Sequence, residues 1–264
     1  MVETIDVESK LKKLAAKQKE WRELGPKLKL ELLEQMNKAA SADSMPVWTS
    51  MCQANIQMMG IPLDTQEGKF MVAADKLPNI SIIMERLQHL QDAYMVRCGS
   101  NKNTAVYDNL QSRVAPNGQV VTKIHPILSK EKMGPFSMFD AEIWFQHDKI
   151  QKTSQVKPFQ FDYFDDKSDD IMVVLGAGNQ SFLTVTDVLE GLFVHNRVVF
   201  LKHHPLRGEA LDPVLRMLFE CLYERGYMDS EMDQGLERSA AILSSPLVGA
   251  VHITGGKASH DAIV

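Results

Sequence analysis

Apolar residues recur at helical spacing through the first third of the chain. Over residues 8–40, Leu11, Leu14, Ala15 and Trp21 keep to one face, and Pro26 interrupts the run before Leu28, Leu32, Leu33 and Met36. Ile83, Leu87, Leu90 and Tyr94 repeat the same spacing and predict a second amphipathic helix. Met45, Met51, Met58 and Met59 lie between these helices, around Cys52. They lack the ligand spacing that copper(I) would need, so they read as irregular core filler.

The period changes after residue 115. Pro116-Asn117-Gly118 predicts a turn, residues 119–124 an extended run, and residues 141–146 a second strand with aromatic and β-branched content. Asp162, Asp165, Asp166, Asp169 and Asp170 form an acidic stretch without the glycine and glutamate of a calcium loop, which makes it a solvated linker. From Ile171 the pattern is strand, glycine turn, helix. Ile171–Leu175 and residues 197–201 are continuous apolar runs, as expected of parallel strands covered on both faces. Helices follow at Phe182, Val185, Leu189 and Phe193, at Leu211, Leu215, Leu218 and Leu222 up to Gly226, and around Ala240 to Ser245. Val248–Ile253 is a further strand that runs into Thr254-Gly255-Gly256.

This alternation predicts an α/β fold: an open parallel, Rossmann-like sheet preceded by a helical N-terminal segment. The expected organisation is a helical segment over 1–115 packing on the same domain, a hairpin and acidic loop over 116–170, and an α/β core over 171–264. Ligands of such sheets bind at the carboxyl ends of strands, where both glycine turns fall.

Charge and cysteine content narrow the function. Lys and Arg number 29 against 34 Asp and Glu, a net charge of -5, which argues against a role in nucleic-acid binding. Cys52, Cys98 and Cys221 are odd in number and form no CxxC pair, which suggests reduced thiols and a cytoplasmic protein with no metal site. No run approaches the roughly 18 apolar residues of a membrane span. The first six residues carry no signal-peptide core.

Gly176-Ala177-Gly178-Asn179-Gln180-Ser181 falls one residue short of the dinucleotide fingerprint, yet its glycines would still admit a phosphate near a helix start. The ordinary fingerprint also needs an acidic residue at the end of the second strand, where Lys202 stands, followed by His203, His204 and Pro205. The adjacent histidines make a poor metal pair and read as a surface turn. No G-x-S-x-G elbow or P-loop is present, so Ser181 reads as a helix N-terminal residue and Lys257 as a solvated side chain.

Taken in order, the runs Val174-Leu175-Gly176-Ala177-Gly178-Asn179, Val198-Val199-Phe200-Leu201-Lys202-His203-His204-Pro205 and Val251-His252-Ile253-Thr254-Gly255-Gly256 resemble the aldehyde dehydrogenase superfamily. The acyl-CoA reductase-like branch, which shares the G-A-G-N turn, is the nearest. The resemblance covers residues 141–264, and weakly the helical segment before them. It implies an NAD- or NADP-binding domain. Asn179 would supply an oxyanion-hole amide, Lys202 would contact the adenosine ribose or a 2′-phosphate, and Leu175, Ala177 and Gly178 would lie along the cofactor. Thr254, Gly255 and Gly256 would form the turn beside the pyrophosphate, opening a helix over 259–264. A homodimer through the hairpin around residues 119–124 and 141–146 is implied too.

There are departures from the family pattern. Gly256 stands where many members have serine, and Pro205 where many have a glutamate that holds the ribose. The acidic run over 227–233 replaces the apolar third strand and is expected to make a poor buried strand. The family's nucleophilic cysteine and general-base glutamate follow the Thr-Gly-Gly turn, in sequence this chain does not contain. Cys221, inside a helix with Leu218 and Leu222, reads as a buried structural thiol. The chain is therefore expected to be the cofactor-binding portion of an oxidoreductase acting on an aldehyde or acyl group, lacking its catalytic half. The alternative is a non-catalytic nucleotide-binding or assembly module.

Overall fold

Helices dominate the N-terminal part of the computed structural model, which describes residues 7–40, 44–100, 110–126, 138–156, 170–261 and 263. They are α1 (Val7–Ala15), α2 (Gln18–Glu23), α3 (Pro26–Ala39), α4 (Met45–Met58) and α5 (Gln66–Arg97). Pro26 does not merely interrupt the first run. It takes the opening position of α3, where its fixed φ suits a helix and its missing N–H costs nothing. Leu11, Leu14, Trp21, Leu32, Leu33 and Met36 are buried, as are Ile83, Leu87, Leu90 and Tyr94. Leu28 departs from that face and is 48% exposed. The methionine reading is also corrected: only Met51 is core filler, whereas Met45, Met58 and Met59 are exposed.

The chain forms two units, Met1–Gln91 with Asp162–Val264, and Asp92–Phe161. In the first, β4 (Ile171–Leu175), β5 (Val199–Lys202), β6 (Met228–Glu231) and β7 (Val248–Ile253) make a parallel sheet in the order β6-β5-β4-β7. Their connections carry α6 (Ser181–Leu189), α7 (Gly208–Leu218), α8 (Glu220–Arg225) and α9 (Leu236–Leu243), and α10 (Lys257–Asp261) follows β7. Gly226 closes α8 at φ 73°, a left-handed conformation that glycine adopts without a Cβ clash. The chain first steps outward from β4 to β5 and β6, then crosses back to place β7 on the other side of β4. The switch point therefore lies between the ends of β4 and β7.

The acidic run over 227–233 is a strand after all. Met228, Ser230 and Glu231 are buried in β6, because each carboxylate there has a local partner. Asp229 Oδ1 accepts the Ser230 N–H at 2.7 Å. Glu231 receives Arg238 Nε at 2.6 Å and Nη2 at 2.8 Å, with Lys10 Nζ at 3.5 Å. Residue-by-residue polarity missed these cations because they come from other elements, Arg238 from the next helix α9 and Lys10 from the distant α1.

Trp21 fastens the N-terminal helices to this sheet. Its ring meets Phe193 edge-on at 5.3 Å and Tyr227 at 5.0 Å, and its indole N–H donates to Leu192 O at 3.2 Å. Gln18, one turn earlier, donates to Asn196 O at 3.2 Å and accepts the Val198 N–H at 2.8 Å, satisfying the backbone that enters β5.

The second unit holds an antiparallel sheet of β1 (Ser112–Val114), β2 (Val120–His125) and β3 (Ala141–Trp144). The Pro116-Asn117-Gly118 turn joins β1 to β2, with Gly118 N donating to Ala115 O at 2.8 Å. Both strands expected here are present, and β1 is an addition. The acidic stretch from Asp162 to Asp169 lies outside the described residues, as do Ala262 and Val264. Asp170 accepts from Arg197 Nη1 at 2.6 Å.

Removing the indole leaves a cavity and orphans the Leu192 carbonyl. Trp21→Ala is expected to destabilise the first unit by about 3–5 kcal/mol, whereas Leu28→Ala stays within about 0.5 kcal/mol, both read from urea unfolding.

Candidate functional site at the carboxyl edge of the parallel sheet

β4 is buried on both faces and bonded on both edges, so the chain leaves it through a turn with little room. Gly176 N donates to Lys202 O at 2.9 Å, and Ala177 N to the Thr184 hydroxyl at 2.9 Å. At Gly178 a Cβ would stand 2.5 Å from His204 Cε1 and Nε2, so a side chain there would have to displace that ring. Arg207 ties the turn from the other side: Nε donates to Gly178 O at 3.2 Å and Nη2 to Asn179 O at 3.0 Å. Asn179 itself is exposed, and its Oδ1 accepts the Gln180 N–H at 3.0 Å, leaving the amide nitrogen as the free end. Ser181 opens α6, and Asn55 Nδ2 lies 3.3 Å from its hydroxyl.

A cavity of about 600 Å³ opens at the ends of β4, β5 and β7. Leu175, Gly176, Lys202 and His204 line it together with the apolar residues Leu236, Leu243 and Ile253. That size lies within the range of small-molecule sites, as does an apolar wall with few polar groups. The Lys202 ammonium is paired with Asp233 Oδ1, a residue just beyond β6. Lys202 draws the Asp233 carboxyl below its ordinary range, so that carboxylate is ionised at neutral pH.

The two histidines do not form a surface turn. His203 is 1% exposed, with Nε2 3.2 Å from Asp212 Oδ1. Burial holds its pKa below the ordinary value despite that carboxylate. His204 is half-buried, its Nδ1 accepts the Leu206 N–H at 3.1 Å, and burial together with Lys202 lowers its pKa. Both rings are therefore neutral at pH 7, and the polarity of the two residues in sequence gave no sign of it.

Thr254 sits at the end of β7, but its hydroxyl is engaged, donating to Asp187 Oδ2 at 2.9 Å. Asp187 Oδ1 lies 3.2 Å from His252 Nε2, so one buried carboxylate of α6 holds two residues of β7. Gly255 and Gly256 follow and open the short α10, which begins at Lys257 rather than at residue 259. Of the residues singled out from sequence, Leu175 and Lys202 line the cavity. Ala177, Gly178 and Asn179 lie in one flanking turn, and Thr254, Gly255 and Gly256 in the other. Asp233, Arg207 and the Asp187–His252 pair were missed, although a carboxylate on the apolar face of α6 was a readable signal for the last.

Cys52 is buried, whereas Cys221 is only partly so, contrary to the expectation of a buried thiol, and both are poor nucleophiles. Burial pushes Cys52 up to about 12, and it raises Cys221, which is half-buried in α8 beside Leu222. Among the described residues no cluster of three His, Cys, Asp or Glu is arranged to hold a metal ion. No helix there is long and apolar enough to cross a membrane.

No protein-family model matches the sequence, and neither does any curated protein. Solved structures do match. HpcC of Thermus thermophilus is 11% identical with a TM-score of 0.55, over 97% of this chain and 37% of that one. The NADP-dependent glyceraldehyde-3-phosphate dehydrogenase of Bacillus halodurans C-125, solved with NADP, is 9% identical at 0.54, over 97% and 41%. The γ-glutamyl phosphate reductase of Thermotoga maritima is 8% identical at 0.54, over 97% and 50%. These are aldehyde dehydrogenase family members, and what this chain shares with them is the fold. It has an aldehyde dehydrogenase-type α/β architecture, spanning half or less of each neighbour's length.

The Asp187–His252 pair sets a pH dependence. Asp187 raises the His252 pKa above its ordinary 6.5, outweighing burial. The contact then stabilises fully below the unfolded value and is lost as pH rises through the folded one. The stability difference between wild type and His252→Gln is expected to be largest below about pH 6.5 and to shrink above it. A difference that grows with pH in parallel urea melts would contradict the assignment.

Proposed function

We propose that the chain is the dinucleotide-binding portion of an aldehyde dehydrogenase-like oxidoreductase acting on an aldehyde or acyl group, and that it takes NAD or NADP. The observation that carries this reading is the cavity at the switch point of the sheet, with Lys202 in its wall. Its residues fit the adenosine half of such a cofactor. Leu236, Leu243 and Ile253 offer apolar surface for a base, and Lys202 offers a donor for ribose hydroxyls. The turn over Thr254, Gly255 and Gly256 would pass beside the pyrophosphate, and Leu175, Ala177 and Gly178 would lie along the cofactor. The nicotinamide, when bound, supplies the hydride chemistry.

Asn179 has a separate task in this reading. Its free amide would donate to an oxyanion that develops only during reaction. The neighbouring backbone is fixed for it by Arg207 and by the His204 ring over Gly178. In this reading the nucleophilic cysteine and general-base glutamate come from outside this sequence, and neither Cys52 nor Cys221 is activated for that part. That same observation favours a second reading, a nucleotide-binding or assembly module without catalysis. A cytoplasmic location accompanies both readings.

Binding separates the roles. Titration calorimetry should show Lys202→Ala weakening NAD(P) binding by about ten- to a hundredfold, the value of one charged hydrogen bond. Asn179→Ala should bind nearly as wild type, since its contribution belongs to the transition state. Equal losses from both would refute this division of labour.

Self-association through the antiparallel sheet of the second unit belongs to the same proposal. Val114, Ile124, Ile143 and Trp144 are exposed there, apolar surface of the kind that partners cover. Light scattering should give a dimer mass at micromolar concentration, and Trp144→Lys should shift it toward one chain.

A further inference from the structure

A second cavity, of about 730 Å³, lies where the chain enters β6, and it shares no lining residue with the one at the carboxyl edge. Its size is that of a small-molecule site. Leu14, Tyr227 and Met228 line it as an apolar floor, each 2% exposed or less. Five cations line it too: Lys10, Lys13, Lys17, Arg216 and Arg225. They come from α1, the α1–α2 connection, α7 and α8, so no single solvated helix face accounts for them.

Three carboxylates, Glu20, Glu224 and Asp229, share the lining, and against five cations they leave a surplus of two positive charges. Two of the three are engaged. Glu20 accepts from Lys17 Nζ at 2.8 Å and from the Tyr227 hydroxyl at 2.6 Å, and Asp229 Oδ1 accepts the Ser230 N–H at 2.7 Å. Beyond the lining, Asp212 offsets Arg216 and Arg238 offsets Glu231, so one positive charge still remains. Lys10 is taken up by the Ser230 carbonyl and Glu231. Lys13 and Arg225 are exposed and make no hydrogen bond or ion pair among the described residues.

Both stand at helix ends, α1 and α8, where carbonyls favour a nearby cation. Those carbonyls already have donors. Lys12 O and Leu14 O accept the Ala16 and Lys17 N–H groups at 3.1 and 2.9 Å, and Leu222 O and Tyr223 O accept those of Tyr227 and Gly226 at 2.9 and 3.1 Å. The free guanidinium and ammonium are thus left for a ligand. A planar fork beside a flexible ammonium suits a phosphate, whose oxygens take several donors at once.

We propose that this cavity binds a phosphate monoester with an apolar or aromatic body, the phosphate held from Lys13 and Arg225 and the body resting on the floor of Leu14 and Met228. The site is separate from the dinucleotide reading and stands or falls without it.

The test is calorimetry on the full chain with phenyl phosphate as the probe. The double variant Lys13→Gln/Arg225→Gln should weaken binding at least about tenfold, and Glu224→Gln should tighten it a few-fold. Lys202→Ala, in the other cavity, should bind the probe as wild type does. Inorganic phosphate and benzoate should each bind at least about tenfold more weakly than phenyl phosphate. Raising salt from about 0.1 M to about 1 M shortens the screening length from ~10 Å to ~3 Å, so binding should weaken. If the double variant does not fold, Glu224→Gln and the two control ligands still decide. No binding of phenyl phosphate overturns the proposal, as does equal binding of either control ligand. So does binding indifferent to the double variant, or lost in Lys202→Ala instead. None of these outcomes touches the dinucleotide reading, which the NAD(P) titration tests.

Discussion

The burial of β4 on both faces and both edges is the constraint from which the larger unit follows. A strand so enclosed can carry no polar side chain in its middle, and Ile171, Met172, Val173 and Val174 are all buried. Its carboxyl end cannot stay in the sheet and cannot leave through bulky residues, because β5 and the segment after it press close. Gly178 meets that limit directly, with His204 in the space where a Cβ would be. The turn that makes the candidate site is therefore first a consequence of packing.

The second principle at work is the local matching of buried charge. Glu231 sits in a strand at 4% exposure and is tolerable there because Arg238 and Lys10 reach it. Losing one partner of such a pair is costly because the other is stranded. Lys29 is treated in the same way, donating to Asn196 and lying 4.4 Å from the Trp21 ring. These contacts join the N-terminal helices to the sheet through residues more than 160 positions apart.

That separation explains what could be read in the sequence and what could not. β4, β5 and β7, the hairpin strands and the helix with Ile83, Leu87 and Leu90 were legible because their signal is the apolar residues themselves. The turn residues Gly176, Gly178 and Asn179 were legible because glycine reports a steric need at its own position. β6 was not, since an acidic strand makes sense only once α1 and α9 are in place. His203 was misread for a related reason: its neighbours Lys202, His204 and Pro205 suggest a surface, whereas its surroundings are set by α7. Asp233 was passed over as part of the same acidic run.

These misreadings cluster at the edge of the sheet where the candidate site lies, and the reason is physical. Apolar strands specify the framework locally, residue by residue. The carboxyl edge gathers loops from β4, β5, β6 and β7, so its chemistry depends on which side chains those loops bring together. Lys202 read alone is a cation suited to a diol or to a phosphate. Paired with Asp233 its charge is compensated, which nothing on its own strand announces. The meaning of Lys202 in the site is thus decided 31 residues downstream, by a crossover whose course is fixed by the burial of β6.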